Sequence, residues 1–212
     1  MRFDDVIEEI GGFGRYQKLQ YFLVCLFGFP AAFQTMVTVF IMDTPDHRCA
    51  VPGINDTYKR QNEAHTIAVD AAVPRDEDGA YSTCELYRNG NQTEECNRWV
   101  YSRDIYEETV ISEFDIVCDN KILKTHANMA LMGGLLGGSL IMGILSDLIG
   151  RKKTLLLSVV MNFGASLSAS FMRNFWAFVA LRILTTFSGI GMFMTSFVIG
   201  MELVGPQQRV IA

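Results

Sequence analysis

What the chain of 212 residues lacks is charge, over most of its apolar length. Leu19–Met42, Ala127–Leu145 and Thr154–Met172 contain no Asp, Glu, Lys or Arg, and Phe175–Met201 contains only Arg182. A buried soluble helix rarely runs so far uncharged, and roughly 20 residues of helix cross a hydrocarbon core. The missing charge therefore excludes one large soluble domain and predicts four membrane helices. A basic patch interleaved with aromatics is also missing, which excludes a nucleic-acid partner. There is no C-x-x-C pair, and His47, His65 and His126 stand in no ligand spacing, so no metal is expected. Neither a nucleophile elbow nor a phosphate loop occurs; no catalytic residue and no cofactor is predicted, and the chain reads as a non-enzyme. A cleavable signal is excluded too. The first apolar run is too long, and Asp4, Asp5, Glu8 and Glu9 precede it where a signal is basic.

What charge there is lies in one place. Residues 43–124 hold 17 acidic and 9 basic residues, a balance of −8 within a chain of net −5, which leaves +3 for the remainder. Arg151, Lys152 and Lys153 form the densest basic cluster, in a short turn, and such turns stay in the cytoplasm. The predicted organisation follows. Residues 1–18 are a cytoplasmic segment, 19–42 the first span, 43–124 an extracellular loop and 125–146 the second span. A cytoplasmic turn occupies 147–153, the third and fourth spans 154–172 and 175–203, and a cytoplasmic segment 204–212. In the first segment Phe3, Val6, Ile7 and Ile10 fall at helical spacing. They fit a short amphipathic helix on the inner membrane surface, or a partly ordered tail.

The long loop carries its own signals. Asn55-Asp56-Thr57 and Asn91-Gln92-Thr93 are glycosylation sequons, and both lie in the segment assigned outside. Cys25 sits in the first span, whereas Cys49, Cys84, Cys96 and Cys118 all lie in the loop. An even set in an oxidising compartment reads as two disulfides, with three pairings open. They would offset the weak burial of so polar a loop.

Within the spans, Gly133/Gly137 and Gly134/Gly138 have the spacing that lets helix backbones approach. Asp147 stands at the inner membrane edge, where a carboxylate is costly unless paired, and Gly150 permits a sharp reversal. Arg182 is an intramembrane cation needing a partner, water or a cavity; a cavity role and a structural role to carbonyls are both open. Glu202 is positioned to pair with a cytoplasmic-side cation such as Arg151. Phe29, Phe33, Met36 and Phe40 recur at i, i+4, i+7, i+11 on one face, as packing or, if they line a cavity beside Gln34, as faces for organic cations.

Gly143-Ile144-Leu145-Ser146-Asp147-Leu148-Ile149-Gly150-Arg151-Lys152 has the G-x-L-x-D-x-x-G-R-K form. With Pro30-Ala31-Ala32-Phe33, Thr44-Pro45-Asp46-His47-Arg48-Cys49, Trp99-Val100-Tyr101, Glu113 to Cys118 and Glu202-Leu203-Val204-Gly205, it resembles the organic cation and carnitine branch of the major facilitator superfamily. The resemblance runs from about Asp4 to Ala212. It implies an all-α membrane protein whose four helices begin an amino-terminal bundle, with a large disulfide-linked extracellular loop and the interlaced pairs Cys49–Cys96 and Cys84–Cys118. It further implies plasma-membrane transport of small organic cations or carnitine-like zwitterions by alternating access, with the coupling ion unknown. Gly143, Asp147, Gly150, Arg151, Lys152 and Glu202 become switch residues, and Phe33, Gln34, Met36, Phe40 and Arg182 cavity candidates. Against a twelve-helix family, 212 residues are expected to be a fragment or truncated product. Organic anion transport, and a non-transporting four-helix glycoprotein acting by interaction, are the competing expectations.

Overall fold

A computed structural model describes residues 14–76, 79–88 and 92–203. The amphipathic stretch predicted over Phe3–Ile10, the sequon residue Asn91 and the segment from residue 204 lie outside the described residues. In chain order the elements are α1 (Arg15–Cys25), α2 (Gly28–Ile41), β1 (His47–Cys49), α3 (Glu63–Ala72), β2 (Glu85–Arg88) and β3 (Gln92–Glu95). There follow β4 (Trp99–Tyr101), α4 (Val110–Glu113), α5 (Lys121–Ile149), α6 (Arg151–Ala169) and α7 (Phe175–Leu203). They form two compact units, a helical unit of Met1–Thr38 with Ala127–Ala212 and a loop unit of Val39–His126.

The first predicted span is not one continuous helix. Pro30 has no N–H to give, and its ring crowds the carbonyl four residues back, that of Leu26. That carbonyl accepts from Phe29 N instead, at 3.3 Å, and the chain turns at Leu26 and Phe27 between α1 and α2. By length and composition three stretches among the described residues can cross a membrane: Arg15–Ile41, Cys118–Ile149 and Phe175–Glu202. The third predicted span, α6, has 19 residues and starts three residues earlier than expected, on Arg151-Lys152-Lys153. Those cations and Asn162 keep its composition from marking it as a span.

α5 buries one face: Ala127, Leu131, Gly134, Gly138, Met142 and Ser146, spaced three or four apart. α6 buries Thr154, Ser158, Ala165 and Ala169, all small. The two glycine pairs of α5 have different fates. A Cβ at Gly138 would lie 2.7 Å from the Phe187 carbonyl oxygen and 2.5 Å from Ile190 Cγ2, and one at Gly134 would lie 3.0 Å from Ile183 Cγ2. Gly133 and Gly137 would meet nothing within 4 Å. Of these four glycines, only Gly134 and Gly138 lie against α7.

The loop unit departs from an all-α description. β1 pairs antiparallel with β4, His47 opposite Tyr101 and Cys49 opposite Trp99, and β2 pairs with β3, Glu85 opposite Glu95. These ladders are short because disulfides, rather than a wide sheet, hold the chain. Cys49–Cys96 and Cys84–Cys118 close spans of 47 and 34 residues, the interlaced pairing that the family resemblance implies. Each loop closure restricts the unfolded chain by about 4 kcal/mol in the entropic treatment. The apolar core is modest: Val51, Val69 and Val73, with Ala72, Tyr81 and Leu86 packed against them. A full valine burial contributes about 1.5–3 kcal/mol.

A buried carboxylate completes the loop unit. Arg48 and Asp56 side chains are 4% and 3% exposed and form a two-pronged pair, Nη1–Oδ2 2.7 Å and Nη2–Oδ1 2.6 Å. Val51 N donates to Oδ2 at 2.9 Å, and His65 Nε2 lies 2.8 Å from Oδ1. Arg48 also donates to the carbonyls of Cys49 and Thr57. Burial pushes the Asp56 carboxyl up, but the Arg48 guanidinium, the Val51 amide and His65 outweigh it, and the net displacement is below the ordinary carboxylate range. The sequon residue Asn55, exposed, is thereby attached to a fixed neighbour.

Two outcomes follow. Gly138→Ala in the full chain lowers stability by about 1–3 kcal/mol, the cost of overpacking, while Gly137→Ala leaves it within about 0.5 kcal/mol. Unfolding of the detergent-solubilised protein measures both, and equal losses would remove the α5–α7 contact as the cause. For Asp56, a depressed folded-state pKa means stabilisation that is complete above the unfolded value of about 3.9 and is lost as pH falls through the folded value. Protease resistance of residues 43–124 should therefore hold at neutral pH and fail below about pH 4. Asp56→Asn, which keeps the sequon, should weaken the unit at every pH by about 3–5 kcal/mol, because Arg48 is left buried without its partner.

Candidate functional site

The predicted cavity residues separate onto two faces of α2. Gln34 and Thr38, one turn apart, point into the helical unit. Gln34 Nε2 donates to Ser166 Oγ of α6 at 3.3 Å. Thr38 Oγ1 donates to its own Gln34 carbonyl at 2.9 Å and accepts from Arg182 Nη2 of α7. Phe33, Met36 and Phe40 lie on roughly the opposite side, 67%, 57% and 57% exposed, with Phe29 beside them. The structure thus joins Gln34 to Arg182 through Thr38 and does not bring the aromatic stripe to them.

Arg182 is buried, 7% exposed. A cation at the centre of a membrane helix costs about 2.5–3.5 kcal/mol on the insertion scale. A threonine hydroxyl accepts its hydrogen bond but brings no compensating charge. Around it, Asn162 Nδ2 of α6 donates to the Thr185 carbonyl at 3.1 Å. Thr185 and Ser188 return their own hydroxyls to Leu181 and Leu184 carbonyls, at 2.7 and 2.9 Å. The result is a polar seam where α2, α6 and α7 meet. Thr38, Asn162, Ser166 and Thr185 were not singled out from the sequence. The signal available was spacing: Gln34/Thr38 at i, i+4, and Asn162/Ser166 likewise.

At the other end of the unit sits the turn between α5 and α6. Gly150 has φ of +98°, a left-handed conformation that side-chain-bearing residues rarely adopt. Thr154, fully buried, fastens the turn through its hydroxyl to the carbonyls of Gly150 at 3.2 Å and Leu145 at 3.3 Å. Arg151 pairs with Glu202 near the end of α7, the partner expected of it. Their side chains are 33% and 51% exposed. Asp147, Lys152, Lys153 and Gly143 are exposed, and Asp147 stands outside that ion pair. Among the described residues no group of three or more His, Cys, Asp or Glu could hold a metal ion.

Comparison with known proteins gives this arrangement a family. Residues 73–201 match the family described as sugar (and other) transporter. The chain is 33% identical over its whole length to an organic cation transporter-like protein of Drosophila melanogaster, covering 38% of that protein. It is 29% identical to organic cation/carnitine transporter 2 of Homo sapiens, with 99% of this chain and 41% of the relative aligned. A steroid transmembrane transporter, SLC22A24 of Homo sapiens, is also 29% identical, over 99% of this chain and 42% of its own. The chain therefore spans about two fifths of the length of these curated relatives.

The Arg151–Glu202 pair is half in water, and exposed pairs contribute about 0–1 kcal/mol. A double-mutant cycle of Arg151→Ala and Glu202→Ala should give a coupling within that range, lost in about 1 M salt. The reversed pair Arg151→Glu with Glu202→Arg should recover it. A coupling above about 2 kcal/mol that salt does not touch would mean a desolvated lock instead.

Proposed function

We propose, from the fact that this chain belongs to the sugar (and other) transporter family, that it supplies part of a plasma-membrane carrier for small organic cations or carnitine-like zwitterions. The observation carrying this reading is the polar seam joining Gln34, Thr38 and Arg182 within otherwise apolar helices, in a chain similar throughout to organic cation and carnitine transporters. A buried polar group is costly in lipid, so its retention points to a path or a moving contact. In this reading the carrier works by alternating access, with the Gly150 turn and the Arg151–Glu202 pair closing the cytoplasmic side. The amino terminus is cytoplasmic. Residues 43–124 lie outside, glycosylated at Asn55 and Asn91, and Arg151 to Lys153 stay inside by their charge.

A second reading is organic anion transport. Arg182 favours it, because its charge is met by a hydroxyl and not by a carboxylate among the described residues. Similarity to a steroid transporter is compatible with either sign.

The test is uptake of labelled tetraethylammonium, carnitine and an aromatic carboxylate by cells. They express residues 1–212 alone or fused in frame to the remaining three fifths of the organic cation transporter-like relative. Saturable cation or carnitine uptake by the fusion, reduced about tenfold or more by Arg182→Ala and partly by Thr38→Val, supports the proposal. Preference for the carboxylate supports the second reading, and no uptake by a correctly inserted fusion leaves a glycoprotein that acts by interaction. In the same cells Asn55→Gln and Asn91→Gln should each remove one step of apparent mass; no change with either would invert the assigned orientation.

A further inference from the structure

The sequon at Asn55 is folded shut on all three of its residues. Asp56, the middle one, is 3% exposed at its side chain and binds Arg48, the Val51 amide and His65. The Thr57 carbonyl accepts from Arg48 Nη2 at 2.9 Å. The Thr57 hydroxyl donates to the Lys59 carbonyl at 2.9 Å and accepts from Gln61 Nε2 at 3.0 Å. The same Gln61 amide donates to the Asn55 carbonyl at 3.1 Å. Sugar transfer to an asparagine depends on the hydroxyl two residues on. The transferring enzyme must hold amide and hydroxyl together, so it must take the three residues free of other partners. In the folded loop unit that hydroxyl is engaged as donor and as acceptor, and lifting the segment out would leave Arg48 buried without its carboxylate. This latch is assembled late. Arg48 is held in β1, which pairs with β4, and its neighbour Cys49 is bridged to Cys96, 47 residues further on. At about 5–20 residues per second, synthesis leaves the sequon open for a few seconds before that cysteine follows.

We propose that Asn55 accepts a glycan only until the Arg48–Asp56 latch closes, so that its occupancy is fixed by a race between sugar transfer and closure of the loop unit. This rests on the reading that residues 43–124 enter the secretory lumen. In the transfer, Asn55 Nδ2 forms a bond to C1 of the sugar, and the bond from C1 to an oxygen of the lipid diphosphate breaks. The diphosphate leaves with the electron pair, and the amide gives up one proton to a base of the transferring enzyme. A chain that closes first is not modified afterwards. A chain that is modified first still closes, because the sugar sits on an exposed side chain and Asp56, Thr57 and the two carbonyls keep their partners. Folded chains with and without sugar at Asn55 therefore coexist.

The test uses the full chain with Asn91→Gln, which leaves Asn55 as the single acceptor. Purified without glycans, oxidised and in detergent, it is given oligosaccharyltransferase and a lipid-linked oligosaccharide, and the product is read as a gel shift. The oxidised chain should keep its lower band, and the same chain reduced by a thiol beforehand should move to the upper one. Arg48→Met leaves the sequon intact and removes the latch; with both disulfides still present by peptide mapping, it should be modified in the oxidised form. Gln61→Ala, an exposed change, should speed transfer to the oxidised chain, and it carries the test if Arg48→Met does not form the disulfides. Transfer to the oxidised parent as fast as to the reduced one would overturn the proposal, and so would variants as resistant as the parent. Translation into microsomes reads the race itself. An oxidising lumen should give two bands, and a thiol reductant present during synthesis the upper band alone; the upper band alone in both would overturn the proposal. A chain keeping only Asn91 tests the underlying reading separately. If neither it nor the reduced Asn55 chain gains sugar in microsomes, while the reduced chain accepts it in detergent, the assigned orientation is what fails.

Discussion

How closely α7 lets its neighbours approach decides the rest of the helical unit. Between helices in lipid there is no hydrophobic gain, because the lipid is as apolar as leucine, so association depends on packing and interhelical bonds. Both need short distances. α5 supplies them with Gly134 and Gly138 against Ile183, Phe187 and Ile190, and α7 answers with Gly191, where a Cβ would stand 2.6 Å from Met142 Cγ. α6 reaches the same end with a buried stripe of Thr154, Ser158, Ala165 and Ala169. The hydroxyls in this packing mostly turn back on their own helix: Ser158 to Thr154, Thr185 to Leu181, Ser188 to Leu184. Each is satisfied without a neighbour, so it behaves as a small residue and not as an adhesive one.

Closeness then makes a few true interhelical bonds possible. Gln34 reaches Ser166, Asn162 reaches the Thr185 carbonyl, and Arg182 reaches Thr38. None would survive a bulkier seam. The loop unit meets the opposite problem, a small apolar core with water available. It answers with two interlaced disulfides and with Asp56, a carboxylate holding Arg48, Val51 and His65 at once. One unit excludes charge to pack; the other is organised around a buried charge.

This contrast explains what was legible in the sequence. Long uncharged stretches, the basic turn, the glycine needed at 150 and the even cysteine count are composition and spacing, and they were readable. The break between α1 and α2 was also written there, in Pro30, and yet a hydropathy reading passes over it because every flanking residue is apolar. The two glycine pairs of α5 are indistinguishable as sequence; which one faces α7 depends on helix phase relative to a partner. The same holds on α2. The aromatic stripe draws the eye, but Gln34 and Thr38 touch the other helices, and Thr38 stood out only once Arg182 was beside it. In the loop, Asp56 looked like the middle residue of a sequon, since nothing local says that Arg48 and His65 converge on it.

The partner of Arg182 decides what charge is left in the seam. Had a carboxylate met it, the pair would be neutral and the seam would be structural. A hydroxyl satisfies one donor of a guanidinium that has five and leaves its charge in place. In a low-dielectric interior that charge repels a cation and attracts a carboxylate over several ångströms. Cation selectivity in such a bundle therefore requires acidic groups elsewhere along the path that outweigh Arg182, whereas a zwitterion can present its carboxylate to Arg182 and its ammonium away from it.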